Sequence, residues 1–73
     1  MDGLLQLMSV ALNEPKLKID DTMEELAGWD SLSHMELIFS LEGHYQVEFT
    51  GDEIAELRSV SAIVKALEAR GKL

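Results

Sequence analysis

The run Gly28-Trp29-Asp30-Ser31-Leu32-Ser33-His34-Met35-Glu36-Leu37-Ile38-Phe39-Ser40-Leu41-Glu42-Gly43-His44-Tyr45 passes from an irregular segment into a strongly amphipathic helix. Leu37, Ile38, Leu41 and Tyr45 fall at helical spacing and form one apolar face, assigned here to the core. Leu32, Met35 and Phe39 also follow helical spacing, but they lie around the helix from the first row. A small bundle cannot easily turn both rows inward. Each large apolar side chain left in water forgoes roughly 1.5–3 kcal/mol. Three of them amount to a large share of the roughly 5–15 kcal/mol by which a domain is stable. The second row, flanked by Glu36 and Glu42, is therefore read as a docking surface, a helix offered to a groove on a partner. The plainer alternative has Leu32 and Phe39 closing over the core from the side, covered by the preceding loop. The helix is expected to begin at Asp30 or Ser31 and to end between Gly43 and Tyr45. Gly43 is its weakest point, since glycine costs roughly 1 kcal/mol relative to alanine inside a helix.

Outward from this helix the pattern is helical on both sides. Leu4, Leu5, Met8, Ala11 and Leu12 predict a first helix that ends near Asn13, before Pro15. No period is sustained between Pro15 and Asp30. Ile19, Met23 and Leu26 are spaced as anchors for a long loop, and Thr22 with Glu25 suits the cap of a single turn within it. Connections of this length are usually functional or disordered, and the anchors argue for order. Tyr45-Gln46-Val47-Glu48-Phe49-Thr50 alternates like a strand but has no partner strand, so it is read as an extended connector with Val47 and Phe49 inward. After Gly51, Asp52 to Leu57 form a turn or two of helix with acids at its N-terminus. Ser59 caps a last helix that buries Val60, Ile63, Val64 and Leu67, carries Lys65 and Arg70 near its negative end, and stops at Gly71. The expected fold is all-α: one domain over residues 1–73, a small four-helix bundle of three main helices and one short one.

Composition narrows the function. A 73-residue domain buries roughly 60% of its unfolded surface and has little material for a deep cleft. Fourteen acidic against six basic residues give a net charge of -8. Nucleic-acid backbones need the opposite sign, and anionic membranes are disfavoured for the same reason. A partner with a basic patch fits, although acidity also serves solubility alone. With no cysteine there is neither a disulfide framework nor a thiolate nucleophile. No apolar run reaches membrane-span length and no basic flank of a signal peptide is present. The lack of cysteine fits a reducing, cytoplasmic setting, and a monomer is expected. His34 and His44 do not share a helix face as metal ligands would, and both are read as surface residues. Asp20, Asp21, Glu24 and Glu25 lack the spacing and glycine of a calcium loop. Asp30, Ser31 and His34 do not make a nucleophilic triad, because the first two are adjacent and no oxyanion hole is visible. The protein is not expected to be an enzyme.

Ser31 stands at the positive end of its helix. If it is the N-cap, its oxygen is occupied by a backbone N–H. If Asp30 caps instead, the Ser31 hydroxyl is free and a phosphodiester on it would sit where helix N-termini favour negative charge. Together these residues resemble the phosphopantetheine carrier proteins, that is, acyl carrier proteins and their aminoacyl and peptidyl relatives. Gly28-Trp29-Asp30-Ser31-Leu32 fits the family's Gly-x-Asp-Ser-Leu attachment motif. Glu36-Leu37, Leu41-Glu42, the Val47–Phe49 connector, Asp52-Glu53-Ile54 and Ser59-Val60 continue the likeness along the chain. The resemblance implies that Ser31 receives phosphopantetheine from coenzyme A through a separate transferase, and that the arm's thiol holds acyl or aminoacyl groups as thioesters. It further implies that Asp30, Leu32, Met35, Glu36, Phe39 and Glu42 face that phosphopantetheinyl transferase, the loading ligase and downstream acyl-transferring enzymes. Ile54 and Leu57 would lie near the arm or line an acyl-binding gap. Fatty-acid carriers usually have a denser acidic run on this helix, whereas Ser33, His34, Gly43 and His44 interrupt it here. With Trp29, this favours a specialised pathway that loads amino acids, hydroxy acids or small polyketide units. The rival from another class is an unmodified acidic adaptor that binds a basic partner through Leu32, Met35 and Phe39.

Overall fold

Leu4, Met8 and Leu12 lie on successive turns of α1 (Asp2–Leu12) and are all buried. The computed structural model describes residues 2–73. It continues with α2 (Ser31–Tyr45), α3 (Gly51–Glu56) and α4 (Val60–Ala69), an all-α architecture of three longer helices and one short one. Leu37, Ile38 and Leu41 of α2 meet α1 and the buried row Val60, Ile63, Val64 and Leu67 of α4 in one core. Tyr45 is half-buried at its edge.

The helix ends follow from local chemistry. Asn13 adopts a left-handed φ of 56°, and Glu14 N–H reaches back to the Ser9 carbonyl at 2.9 Å, closing α1. Gly71, at φ 72°, closes α4 in the same way, with Lys72 N–H on the Leu67 carbonyl. α2 runs through Gly43 to Tyr45 and turns at Gln46, φ 55°. The weak point expected at Gly43 therefore does not end the helix. Thr50 and Glu53 form a reciprocal capping box at the start of α3, and the Ser59 side chain caps α4 by accepting Ala62 N–H.

Val47 and Phe49 of the connector between α2 and α3 are buried. Arg70 covers this connector. Its guanidinium lies 4.7 Å over the Phe49 ring and pairs with Glu53.

The long connection between α1 and α2 is anchored by Leu17, Met23 and Leu26, which pack against the core. Ile19 is exposed, a correction to its expected role as an anchor. Polar bonds fasten the same segment to the start of α4. Met23 N–H donates to the Arg58 carbonyl at 2.7 Å, Val60 N–H donates to the Asp21 carbonyl at 3.1 Å, and Thr22 and Ser59 form an isolated antiparallel bridge. Arg58 pairs with Glu24 across the same seam, and hydrogen bonding from its guanidinium holds the Glu24 carboxyl below its ordinary range. The single turn expected there forms, with Glu25 and Leu26 N–H on the Thr22 carbonyl, but the Thr22 hydroxyl donates to the Glu25 carboxylate instead of accepting a backbone N–H as a cap would. A Cβ built on Gly28 would lie 2.8 Å from the Leu12 carbonyl oxygen, so the chain entering α2 runs directly against the end of α1.

Candidate functional site

Asp30 settles the question of the cap. Its backbone is extended, φ -99° and ψ -174°, and its Oδ1 accepts the Ser33 backbone N–H at 2.9 Å. That hydrogen bond, reinforced by the Ser33 side chain, holds the Asp30 carboxyl below its ordinary value. Ser31 is thereby relieved of capping and stands exposed as the first residue of α2. The first turn of α2 contains no acidic side chain, and the Asp30 cap itself supplies a negative charge at the helix's positive end.

From this exposed hydroxyl the second apolar row leads along α2. Leu32 is 71% and Phe39 63% exposed, and Met35 is 37% exposed. These values exclude the alternative in which Leu32 and Phe39 close over the core. Glu36 is exposed beside the row. Glu42 is half-buried, and its Oε2 accepts the Phe49 backbone N–H at 3.0 Å. Its carboxylate holds the connector as well as flanking the row.

Behind Ser31 lies an arrangement that the pattern of apolar residues does not announce. The Trp29 indole is buried, and its Nε1–H donates to His34 Nδ1 at 3.0 Å. His34 Nε2 lies 2.8 Å from the Ile54 carbonyl oxygen of α3. The expectation of a surface histidine is corrected here: His34 is only 6% exposed. Its signal in the sequence was its place in the row His34, Leu37, Ile38, Leu41, which is the core face of α2. An indole N–H only donates and a carbonyl only accepts, so Nδ1 is the acceptor and Nε2 carries the proton. His44, in contrast, is exposed and packs edge-on to Tyr45.

Ile54 and Leu57 differ in burial and in what they touch. Ile54 is half-buried and contributes its carbonyl to His34. Leu57 is buried and lines a cleft with Glu53, Glu56, Ala62, Lys65 and Ala66, between α3 and α4. Among the described residues no group of three or more ligand-type side chains is placed to hold a metal ion. No described helix is long and apolar enough to cross a membrane.

Comparisons with known proteins agree with this geometry. Residues 2–67 match the family model described as the phosphopantetheine attachment site. Among solved structures, the chain is similar to the holo acyl carrier protein from Geobacter metallireducens, with a TM-score of 0.81 and 30% sequence identity. That likeness covers 93% of this chain and 80% of the other. No curated protein matches the chain at a significant level. The family match over residues 2–67 and the likeness to a holo acyl carrier protein lead to one conclusion: the chain belongs to the phosphopantetheine attachment family, carriers rather than enzymes, whose working group is covalently bound phosphopantetheine.

Proposed function

We propose that Ser31 is the attachment residue, that phosphopantetheine is transferred to its Oγ from coenzyme A by a separate transferase, and that the protein presents acyl or aminoacyl groups to partner enzymes. The observation that carries this reading is the division of labour between neighbours. Asp30 takes the capping bond, and Ser31 keeps an exposed hydroxyl. The residues fit the group. A phosphate on Ser31 sits at the end of α2 where backbone N–H groups and the helix dipole favour negative charge. The bound arm supplies a thiol, which this cysteine-free chain lacks, and that thiol holds cargo as a thioester. Leu32, Met35 and Phe39 give partners an apolar grip. Asp30 and Glu36, and Glu42 in part, give charge that orients a basic patch. The partners are the phosphopantetheinyl transferase, a loading ligase and downstream acyl-transferring enzymes, met by a cytoplasmic monomer. The interrupted acidic row of α2 favours a specialised biosynthetic pathway over bulk fatty-acid synthesis.

Intact mass before and after incubation with coenzyme A and a broad-specificity transferase tests the assignment. The folded protein is expected to gain the mass of one arm, and Ser31→Ala to gain none. A wild-type protein that stays unmodified would instead behave as the unmodified adaptor.

A further inference from the structure

The buried Trp29–His34–Ile54 chain of hydrogen bonds ties the start of α2 to α3. His34 follows Ser31 by one helical turn, on the same side of α2. Its ring uses both nitrogens, one toward the loop that precedes the helix and one toward α3. We propose that this bridge bars the space between α2 and α3 to the cargo, so that a group carried on Ser31 stays outside the bundle, in solvent or in a partner's pocket. The inference rests on the carrier reading of Ser31 and adds the class of cargo: short or polar acyl groups, which need no apolar shelter.

The barrier is polar and tied at both ends, which sets it apart from an apolar wall that can part and reseal. An alkyl chain on the end of the arm that enters between these helices has to pass the ring that ties α2 to α3. To admit it, α3 has to leave α2, which breaks the Nε2–H···O bond to Ile54. Alternatively the ring has to swing aside, which strips the buried Trp29 indole N–H of its acceptor. Either course leaves a buried polar group without a partner, the costliest outcome for a hydrogen bond. Beyond the ring lie only apolar side chains, Leu37, Ile38, Leu41 and Leu57, which can part around an alkyl chain once the bridge is gone. The cleft between α3 and α4 is no substitute. It is lined by Leu57, Ala62 and Ala66 with Glu53, Glu56 and Lys65, and none of these belongs to α2, so it is not part of the space that the bridge closes.

The test compares two loaded forms of the whole protein. Non-hydrolysable acetyl and octanoyl analogues of coenzyme A are used with a broad-specificity transferase, and attachment is confirmed by intact mass. Amide resonances of Ile54 and Leu57, the Trp29 indole N–H resonance and the thermal midpoint are then compared between the forms. The wild-type protein is expected to show the same resonances and midpoint with either cargo. In His34→Ala the octanoyl form should shift Ile54 and Leu57 and melt higher than the acetyl form. Trp29→Phe, which keeps an aromatic ring and deletes the donor, serves as the second variant if His34→Ala does not fold, with a smaller shift in the same direction. Octanoyl-dependent shifts and a raised midpoint in the wild type overturn the barrier while leaving the carrier reading intact. Indifference to octanoyl in the variants also overturns it, since something other than the bridge then excludes the chain. Failure to gain mass on folded protein overturns the carrier reading and this inference with it.

Discussion

At the scale of single residues, the division between Asp30 and Ser31 makes separable predictions. Ser31→Ala should abolish arm attachment while changing stability by no more than about 0.5 kcal/mol, because an exposed residue that does not cap contributes little to the fold. Mass spectrometry and a denaturant titration read the two effects independently. Asp30 predicts a pH dependence. Its carboxyl is lowered from an ordinary value of 3.8 by the Ser33 N–H, so the fold prefers the ionised form. The stabilisation is complete above the ordinary value and is lost as pH falls through the lowered one. Thermal midpoints measured from about pH 5 down to about pH 2 should fall less steeply in Asp30→Asn, since asparagine caps without titrating. Glu24 and Glu53 shift in the same direction, through Arg58 and Arg70, and contribute to the same acid limb. On the docking row, Phe39→Asp should leave the fold intact, because the ring is 63% exposed. Transferase affinity should drop on the order of tenfold or more, the loss typical of an aromatic anchor, as titration calorimetry can read.

At the scale of elements, the helices and their faces were legible, because apolar residues recur at helical spacing over long enough runs. Ends were legible where the chemistry is distinctive, as at Asn13, Ser59 and Gly71. Gln46 carries no such mark, and its left-handed backbone shows only in the fold. His34 is expected at the surface because hydropathy assigns a polar residue outward, whereas here one hydrogen bond accepted from Trp29 and one donated to the Ile54 carbonyl make its burial acceptable. Ile19 was expected inward by spacing alone, and in an irregular segment spacing has no fixed meaning. Two glycines of opposite kind make stability predictions for chemical denaturation. A Cβ at Gly43 meets open space within a continuous helix, so Gly43→Ala should stabilise by about 1 kcal/mol. At Gly28 the added carbon meets the Leu12 backbone oxygen, and Gly28→Ala should cost about 1–3 kcal/mol. The glycine of the attachment motif thus answers to packing against α1.

At the scale of the molecule, eight units of excess negative charge are spread over a body 28 × 25 × 19 Å across. Self-repulsion should make the thermal midpoint rise with added salt, while association with a basic partner slows. The opposite signs of the two trends separate a general effect of charge from one confined to docking. What the sequence could not reveal at this scale was pairing between remote segments. The bonds from Val60 N–H to the Asp21 carbonyl and from Met23 N–H to the Arg58 carbonyl join the long connection to the threshold of α4, and backbone groups leave no compositional trace of their partners. Their consequence concerns motion. A segment bolted at mid-length cannot swing as a lid, so amide exchange at Met23 and Val60 should slow to the pace of whole-domain opening. The platform under Ser31 is then stiff, and with the arm on Ser31 as proposed, travel between one client enzyme and the next would fall to the flexible tether and to diffusion of the entire carrier.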